Sequence, residues 1–336
     1  MEKHQYAAPD MSGWQGRIDS TENYAAFRWH QWMKGWDLRQ AAAPQPGKLG
    51  IALVGFCCDE GIKRNKGREG ASLGPLSIRK ELANVPCAFS QDVTLVDAGN
   101  ILCQDGDLVA SQNALAEAVS RIRRAGFFPI VLGGGHETAL GHYRGQAAAL
   151  RETYGKAELG IINFDAHFDL RPLPESGSSG TMFRQIAQDA AALDEAFKYF
   201  CLGIQRSSNT LELFNEAKRR GVQYVLAGEV AARKDDDVID RLDAFMQDTE
   251  HIHLTLCADV VSSAFAPGVS SAQPMGLQPE DILKFLKHIL RSNKVVGFDI
   301  AEVSPRFDRD NATSRLAMVL IFGVVDALCR LKGLAR

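Results

Sequence analysis

Runs rich in apolar and β-branched residues recur along the chain, separated by stretches whose apolar positions repeat with helical spacing. Eight of these runs read as strands: Leu49 to Phe56, Val93 to Ala98, Phe127 to Leu132, Leu159 to Phe164, Tyr199 to Ile204, Val222 to Leu226, His251 to Cys257 and Lys294 to Ile300. Strands alternating with helices, and apolar enough to be covered on both faces, predict an α/β domain with a mainly parallel sheet. The clearest helix spans Pro279 to Arg291. Pro occupies its first position, Glu280 and Asp281 its first turn, and Ile282, Phe285, Leu286 and Ile289 line one face. Lys287, His288 and Arg291 sit at its end, where the helix dipole favours cations. A second helix is expected from Asn113 to Ala125, with Leu115, Val119 and Ile122 on one face and Gly126 as its stop.

No linker, low-complexity segment or internal repeat divides the chain, so residues 46–336 are expected to form a single domain. Residues 1–45 stand apart as an aromatic-rich segment. All four tryptophans (Trp14, Trp29, Trp32 and Trp36) fall there, and the segment is expected to pack on the domain or on a neighbouring subunit. A chain of 336 residues, 46% hydrophobic and 24% charged, can bury a sizeable core, which excludes intrinsic disorder. Lys plus Arg number 38 against 41 Asp plus Glu, a net charge of −3 that creates no basic field for nucleic acid. The longest uncharged apolar run, Leu316 to Val325, is about half a membrane span, and Met1-Glu2-Lys3-His4 does not begin a signal peptide. No membrane partner is expected. Seven cysteines, at 57, 58, 87, 103, 201, 257 and 329, include no CxxC pair and fit a reducing compartment, so the chain reads as soluble and cytoplasmic.

The chemistry gathers at strand ends. Asn163-Phe164-Asp165-Ala166-His167-Phe168-Asp169 follows a buried strand, at the edge where open α/β sheets bind ligands. Were the extended geometry to continue, Asp165, His167 and Asp169 would share a side and form half of a metal site. Val131-Leu132-Gly133-Gly134-Gly135-His136-Glu137 brings another strand into three glycines and a histidine. Its spacing is neither that of a phosphate loop nor that of a dinucleotide fingerprint, so His136 reads better as a ligand. A third strand ends in Thr255-Leu256-Cys257-Ala258-Asp259, where a buried carboxylate would be costly without a cation beside it. A fourth ends in Asp299-Ile300-Ala301-Glu302, with Glu302 the better placed for a cationic substrate group.

Taken in order, GGGHE, NFDAHFD, SSGTMFRQI, LCADVVSSAFAPG and DIAEVSPRFD resemble the arginase (ureohydrolase) family over nearly the whole chain. Trp14 to Asp19, the loop Arg64-Asn65-Lys66-Gly67-Arg68, and GGGHE where arginases and agmatinases usually carry GGDH place the resemblance in the branch acting on N-formimidoyl-L-glutamate in histidine degradation. The resemblance implies a three-layer α/β/α fold with an eight-stranded parallel sheet, assembly into a homo-oligomer, and two bridged manganese ions. By motif matching, His136, Asp165 and Asp169 would hold one ion and Asp165, His167 and Asp259 the other, a donor set that suits Mn2+.

Two positions depart from the arginase pattern. Cys257 stands where the family has a second bridging aspartate; either its thiolate shifts the preference toward zinc and weakens the pair, or it stays a buried neutral thiol. Ser179 stands where arginases place a proton-shuttling histidine, which makes guanidino substrates less suitable. The implied reaction is attack of a metal-bridging hydroxide on the formimidoyl carbon, giving L-glutamate and formamide. Glu302 would hold the amidine nitrogen and Asp169 would carry the proton to the leaving amine, while Arg68 and Arg206 are the choices for the small-molecule substrate's carboxylates. The alternatives are an agmatinase-like guanidino hydrolase and a non-catalytic homologue whose metal site is impaired at Cys257.

Overall fold

In the computed structural model, which describes residues 5–40, 43–173, 177–233 and 235–336, each of the eight apolar runs forms a strand. Met1 to His4 and residues 41–42 of the aromatic-rich segment lie outside the described residues. The strands are β1 (Tyr6–Ala7), β2 (Lys34–Gly35), β3 (Leu49–Cys57), β4 (Val93–Leu102), β5 (Phe127–Leu132), β6 (Leu159–Phe164), β7 (Tyr199–Ile204), β8 (Gln223–Leu226), β9 (His251–Cys257) and β10 (Val295–Ala301). The helices are α1 (Trp29–Trp32), α2 (Glu60–Arg64), α3 (Gly74–Leu82), α4 (Leu108–Arg124), α5 (Thr138–Tyr154), α6 (Met182–Ala192), α7 (Leu211–Arg219), α8 (Ala227–Ala231), α9 (Asp235–Gln247), α10 (Pro279–Arg291) and α11 (Ala312–Leu331).

Eight strands, in the order β4-β3-β5-β10-β9-β6-β7-β8, pair in parallel throughout. Two further strands of two residues each, which periodicity could not register, make the sheet ten-stranded: β1 runs antiparallel and β2 parallel to the outer edge of β4. They cap an edge that would otherwise expose unpaired backbone groups. Along β3, Ile51 and Leu53 enter one core with α3, α9, α10 and α11, while Ala52 and Val54 enter another with α4. A further core lies under α5, α6 and α7 on the same side as α4. Period-two alternation thus feeds two helical layers from one sheet.

Helix α4 begins five residues earlier than periodicity predicts. The Asp107 side chain accepts the Ala110 N–H at 2.9 Å and caps a first turn that buries Leu108, about two helical turns ahead of Leu115. Helix α11 is long and apolar enough to cross a membrane by length and composition, yet 56% of that stretch is buried, and it packs on α3 and α10. Near the N-terminus Trp14, Trp29 and Trp36 are buried. Trp14 Nε1 donates to Asp97 Oδ2 at 2.8 Å, and that carboxylate is also held by Arg79, so the segment is tied to β4 and α3 by a satisfied buried network.

Candidate active site

Four neighbouring strands, β5, β10, β9 and β6, deliver the acids and imidazoles at their C-terminal ends, although His136 after β5 and Glu302 after β10 lie 166 residues apart in the chain. The His136 turn is threaded tightly between two of its neighbours. Gly133 N donates to Ile300 O at 2.8 Å and Gly135 N to Cys58 O at 2.9 Å, while a Cβ on Gly134 would land on the Cys58 carbonyl. Only glycine admits that approach.

The carboxylates converge by a bend rather than by continued strand geometry. Strand β6 stops at Phe164, and Asp169 takes a left-handed conformation (φ 50°) that swings its carboxylate back toward Asp165. His136 Nδ1 lies 2.9 Å from Asp165 Oδ2 and 3.1 Å from Asp169 Oδ2. His167 Nδ1 lies 3.2 Å from Asp259 Oδ2 and 3.4 Å from Asp165 Oδ1. Two donor groups therefore form, His136 with Asp165 and Cys257, and Asp165 with His167 and Asp259, each with ligand atoms within 4.8 Å of one another. Asp165 belongs to both. Glu302, also left-handed (φ 66°), accepts the His136 N–H at 3.1 Å through Oε1, so its carboxylate borders the same cluster.

Burial alone would protonate these acids. It pushes Asp165 upward, but hydrogen bonds and charge from His136 and His167 outweigh it and hold that carboxyl well below its ordinary range. Asp169 rises to about 6, through burial and then the Asp165 charge. Burial, with Glu137 and Asp259 nearby, raises Glu302 well above the usual range, and burial with Asp165 and Asp259 does the same to the Cys257 thiol. Both imidazoles rise despite burial, because the carboxylates favour their charged forms. Asp259 Oδ1 is buried without a partner among the described residues. This concentration of hard oxygen donors, two imidazoles and an orphaned carboxylate oxygen fits a pair of divalent cations.

Behind the cluster lies a network that local reading of the sequence missed. The Thr255 hydroxyl donates to Asp299 Oδ1 at 2.5 Å, so its oxygen can only accept from His136 Nε2, 3.0 Å away. In the neutral ring this leaves the lone pair on Nδ1, facing Asp165 and Asp169. Asp299 Oδ2 is bound in turn by His142 Nδ1 at 2.6 Å, and Gln146 bridges His142 to His253. Thr255 lies two positions before Cys257 on β9, a spacing that sets both on one strand face and was the available signal.

A cleft of about 320 Å³ opens over the cluster, lined by His136, His167, Asp169, Ser179, Cys257, Asp259 and Glu302, and by a basic rim of Lys66, Arg68 and Arg171. A larger cavity, about 480 Å³, opens around Lys156, Glu158 and Lys198 near the opposite ends of the strands, but its lining holds neither histidine nor cysteine among the described residues. The smaller cleft carries the chemistry. Arg68 reaches it with its guanidinium already committed: Nε donates to Ser270 O at 2.9 Å, Nη2 to Val269 O at 2.6 Å, and the group lies over the Phe307 ring. Arg206 is not brought to the cleft; it is exposed, with its guanidinium over Phe214. The sequence reading passed over Arg171. It lines the cleft beside Asn65 above Gly180, and it pairs with no carboxylate among the described residues.

This sheet order and this cluster of strand-end acids and imidazoles are those of one class of proteins: residues 49–325 match the arginase family, and the chain belongs to it. Among sequence relatives, the formimidoylglutamase of Clostridium tetani is 53% identical over 323 residues, covering 96% of both chains. That of Aeromonas hydrophila is 43% identical over 316 residues, covering 94% of this chain and 98% of its own. Among solved structures, the formimidoylglutamase of Bacillus subtilis shares the fold with a TM-score of 0.77 at 24% identity, over 94% of this chain and 96% of the other. The Trypanosoma cruzi formiminoglutamase solved with Mn2+ gives 0.74 at 24% identity, over 86% and 96%.

Proposed function

We propose that this chain is a metal-dependent hydrolase that cleaves N-formimidoyl-L-glutamate to L-glutamate and formamide. The observation that carries the reading is Asp165, one carboxylate shared between two adjacent donor groups at the floor of a cleft with a basic rim. The relatives named formimidoylglutamase, matched along almost their full length, support the choice of substrate.

His136, Asp165 and Asp169, with Cys257 beside them, would hold one ion, and Asp165, His167 and Asp259 the other; the oxygen-rich set favours Mn2+. Such a pair supplies the acidity that turns water into a nucleophile at neutral pH and a positive field for the charge that develops. Glu302 accepts a hydrogen bond from the amidine nitrogen of the substrate. Asp169, with its Oδ2 against the His136 ring, would pass the proton to the departing amine. Arg171, Lys66 and Asn65 bind the two carboxylates of the glutamyl tail, with Arg68 anchoring the Val269 to Ser271 side of the cleft. The same rim opposes an agmatinase-like substrate, since the Arg171 guanidinium in the cleft repels a second guanidinium. The seven cysteines, all free thiols in the structure, are consistent with a cytoplasmic site of action.

The test is metal analysis by mass spectrometry together with formamide release from N-formimidoyl-L-glutamate after loading with Mn2+. Close to two manganese ions per chain and steady formamide release are expected. Folded, manganese-loaded protein that releases no formamide would refute the reading.

A further inference from the structure

Glu137, next in the chain to His136, is fully buried and takes no part in the chemistry described above. Its Oε1 accepts the Gly61 N–H at 2.9 Å, while Oε2 is buried with no partner among the described residues. The carboxylate occupies space that two glycines leave open, one on each side. A Cβ on Gly135 would land on Oε2, and a Cβ on Gly61 would overlap the carboxyl carbon. A side chain kept only for stability has no reason to bury a half-satisfied carboxylate, because the unpaired oxygen costs free energy that an apolar group would not.

Gly61 lies at the start of α2, and its own carbonyl accepts the Ser179 N–H at 3.1 Å. Through that one residue Glu137 connects three parts of the cleft wall: the His136 turn, the Asn65 to Arg68 rim that follows α2, and the Ser179 loop that faces it. We infer that Glu137 is a positioning residue for substrate recognition, which sets the distance between the metal-ligating turn and the basic rim that receives the substrate's carboxylates. The inference rests on the substrate reading above, and it predicts that losing the carboxylate weakens binding of the glutamyl tail and spares the metal cluster.

The experiment compares three variants with the wild type. Glu137→Ala is expected to raise KM for N-formimidoyl-L-glutamate by about fivefold, the worth of one buried hydrogen bond, with kcat and manganese content close to wild type. Glu137→Gln, which keeps an acceptor at Oε1, is expected to restore KM. Gly61→Ala, whose Cβ would overlap the Glu137 carboxyl group, is expected to raise KM as Glu137→Ala does. Hydrogen exchange supplies a readout independent of turnover. Amides of residues 61–68 and Ser179 should lose protection in Glu137→Ala and regain it in Glu137→Gln. If Glu137→Ala does not fold, Glu137→Asp, which withdraws the carboxylate by one methylene, takes its place in both measurements. Unchanged exchange, or a fall in kcat and metal content with KM unchanged, would overturn the inference. Absence of formamide release by the wild type, with the exchange pattern as expected, would instead refute the substrate reading and leave the positioning role standing.

Discussion

Thr255 controls the site without touching the cleft. Because its hydroxyl proton is spent on Asp299, His136 must donate through Nε2, and the imidazole is held with Nδ1 available to a cation. Thr255→Val removes the acceptor while preserving shape, so manganese affinity is expected to fall by 10- to 100-fold; Thr255→Ser should stay near wild type. Metal titration with a competing chelator measures both. Cys257 is the complementary case. Burial first, and the charges of Asp165, Asp259 and Glu302 after it, keep its thiol protonated when no cation is bound. Cys257→Asp exchanges a soft donor for a hard one and crowds another acid among the existing carboxylates. The variant is therefore expected to bind Mn2+ more tightly and Zn2+ less tightly, and to melt at a lower temperature when chelated. A preference for zinc in the variant would contradict that account.

At the scale of elements, ion pairs between layers show how local charge is used. Arg151, in the last turn of α5, donates to Glu195 at 2.9 and 2.6 Å, holding the loop before β7 against the helix. The Arg151 hydrogen bonds outweigh partial burial and keep the Glu195 carboxyl below its ordinary range. A carboxyl depressed on folding stabilises the native state above its unfolded pKa of about 4.3, and the contribution is lost as pH falls through the folded value. Arg151→Met is expected to cost about 0.5–1 kcal/mol at pH 7, the worth of a partly exposed bidentate pair, and next to nothing once pH has fallen through the lowered value at which Glu195 takes up its proton. Urea denaturation across that range tests the sign. The two glycine-dependent approaches, at Gly134 beside Cys58 and at Gly135 beside Glu137, belong to this scale too, since each fixes how closely one strand-end turn packs on another.

For the whole molecule, the cluster of buried carboxylates links folding to metal. A cation that binds the native cluster and not the unfolded chain stabilises by mass action, about 2.7 kcal/mol at a hundredfold excess over Kd. For a chain of this length that corresponds to roughly 4 °C in Tm. Chelation should lower Tm by about that amount, and adding Mn2+ should restore it. A melting temperature indifferent to chelator would mean that the cluster does not hold metal in solution. The long apolar helix α11 fits the same picture of one core-built body, since more than half of its apolar stretch is buried against neighbouring helices.

Two kinds of information separate cleanly here. The eight main strands, helix α10 and the motif residues His136, Asp165, His167, Asp169, Cys257, Asp259 and Glu302 were all legible in the sequence. Apolar runs and acids that follow them are properties of neighbouring residues, and neighbours are what a sequence records. The two short edge strands were not, because two residues carry no period. What only the tertiary structure decided is which strand ends meet. Chain order runs β5, β6, β9, β10, but the sheet order β5-β10-β9-β6 sets Thr255 against Asp299 and brings Asp165 between two donor groups. The same holds for the cations. Arg68, Arg171 and Arg206 look alike as letters, yet packing binds the first to carbonyls, places the second at the cleft and leaves the third on the surface. Likewise Glu137 reads as one more acid after a histidine until folding brings Gly61, 76 residues away, against its carboxylate. Pairing between residues distant in the chain is set by the packing of whole layers, and no local pattern encodes it.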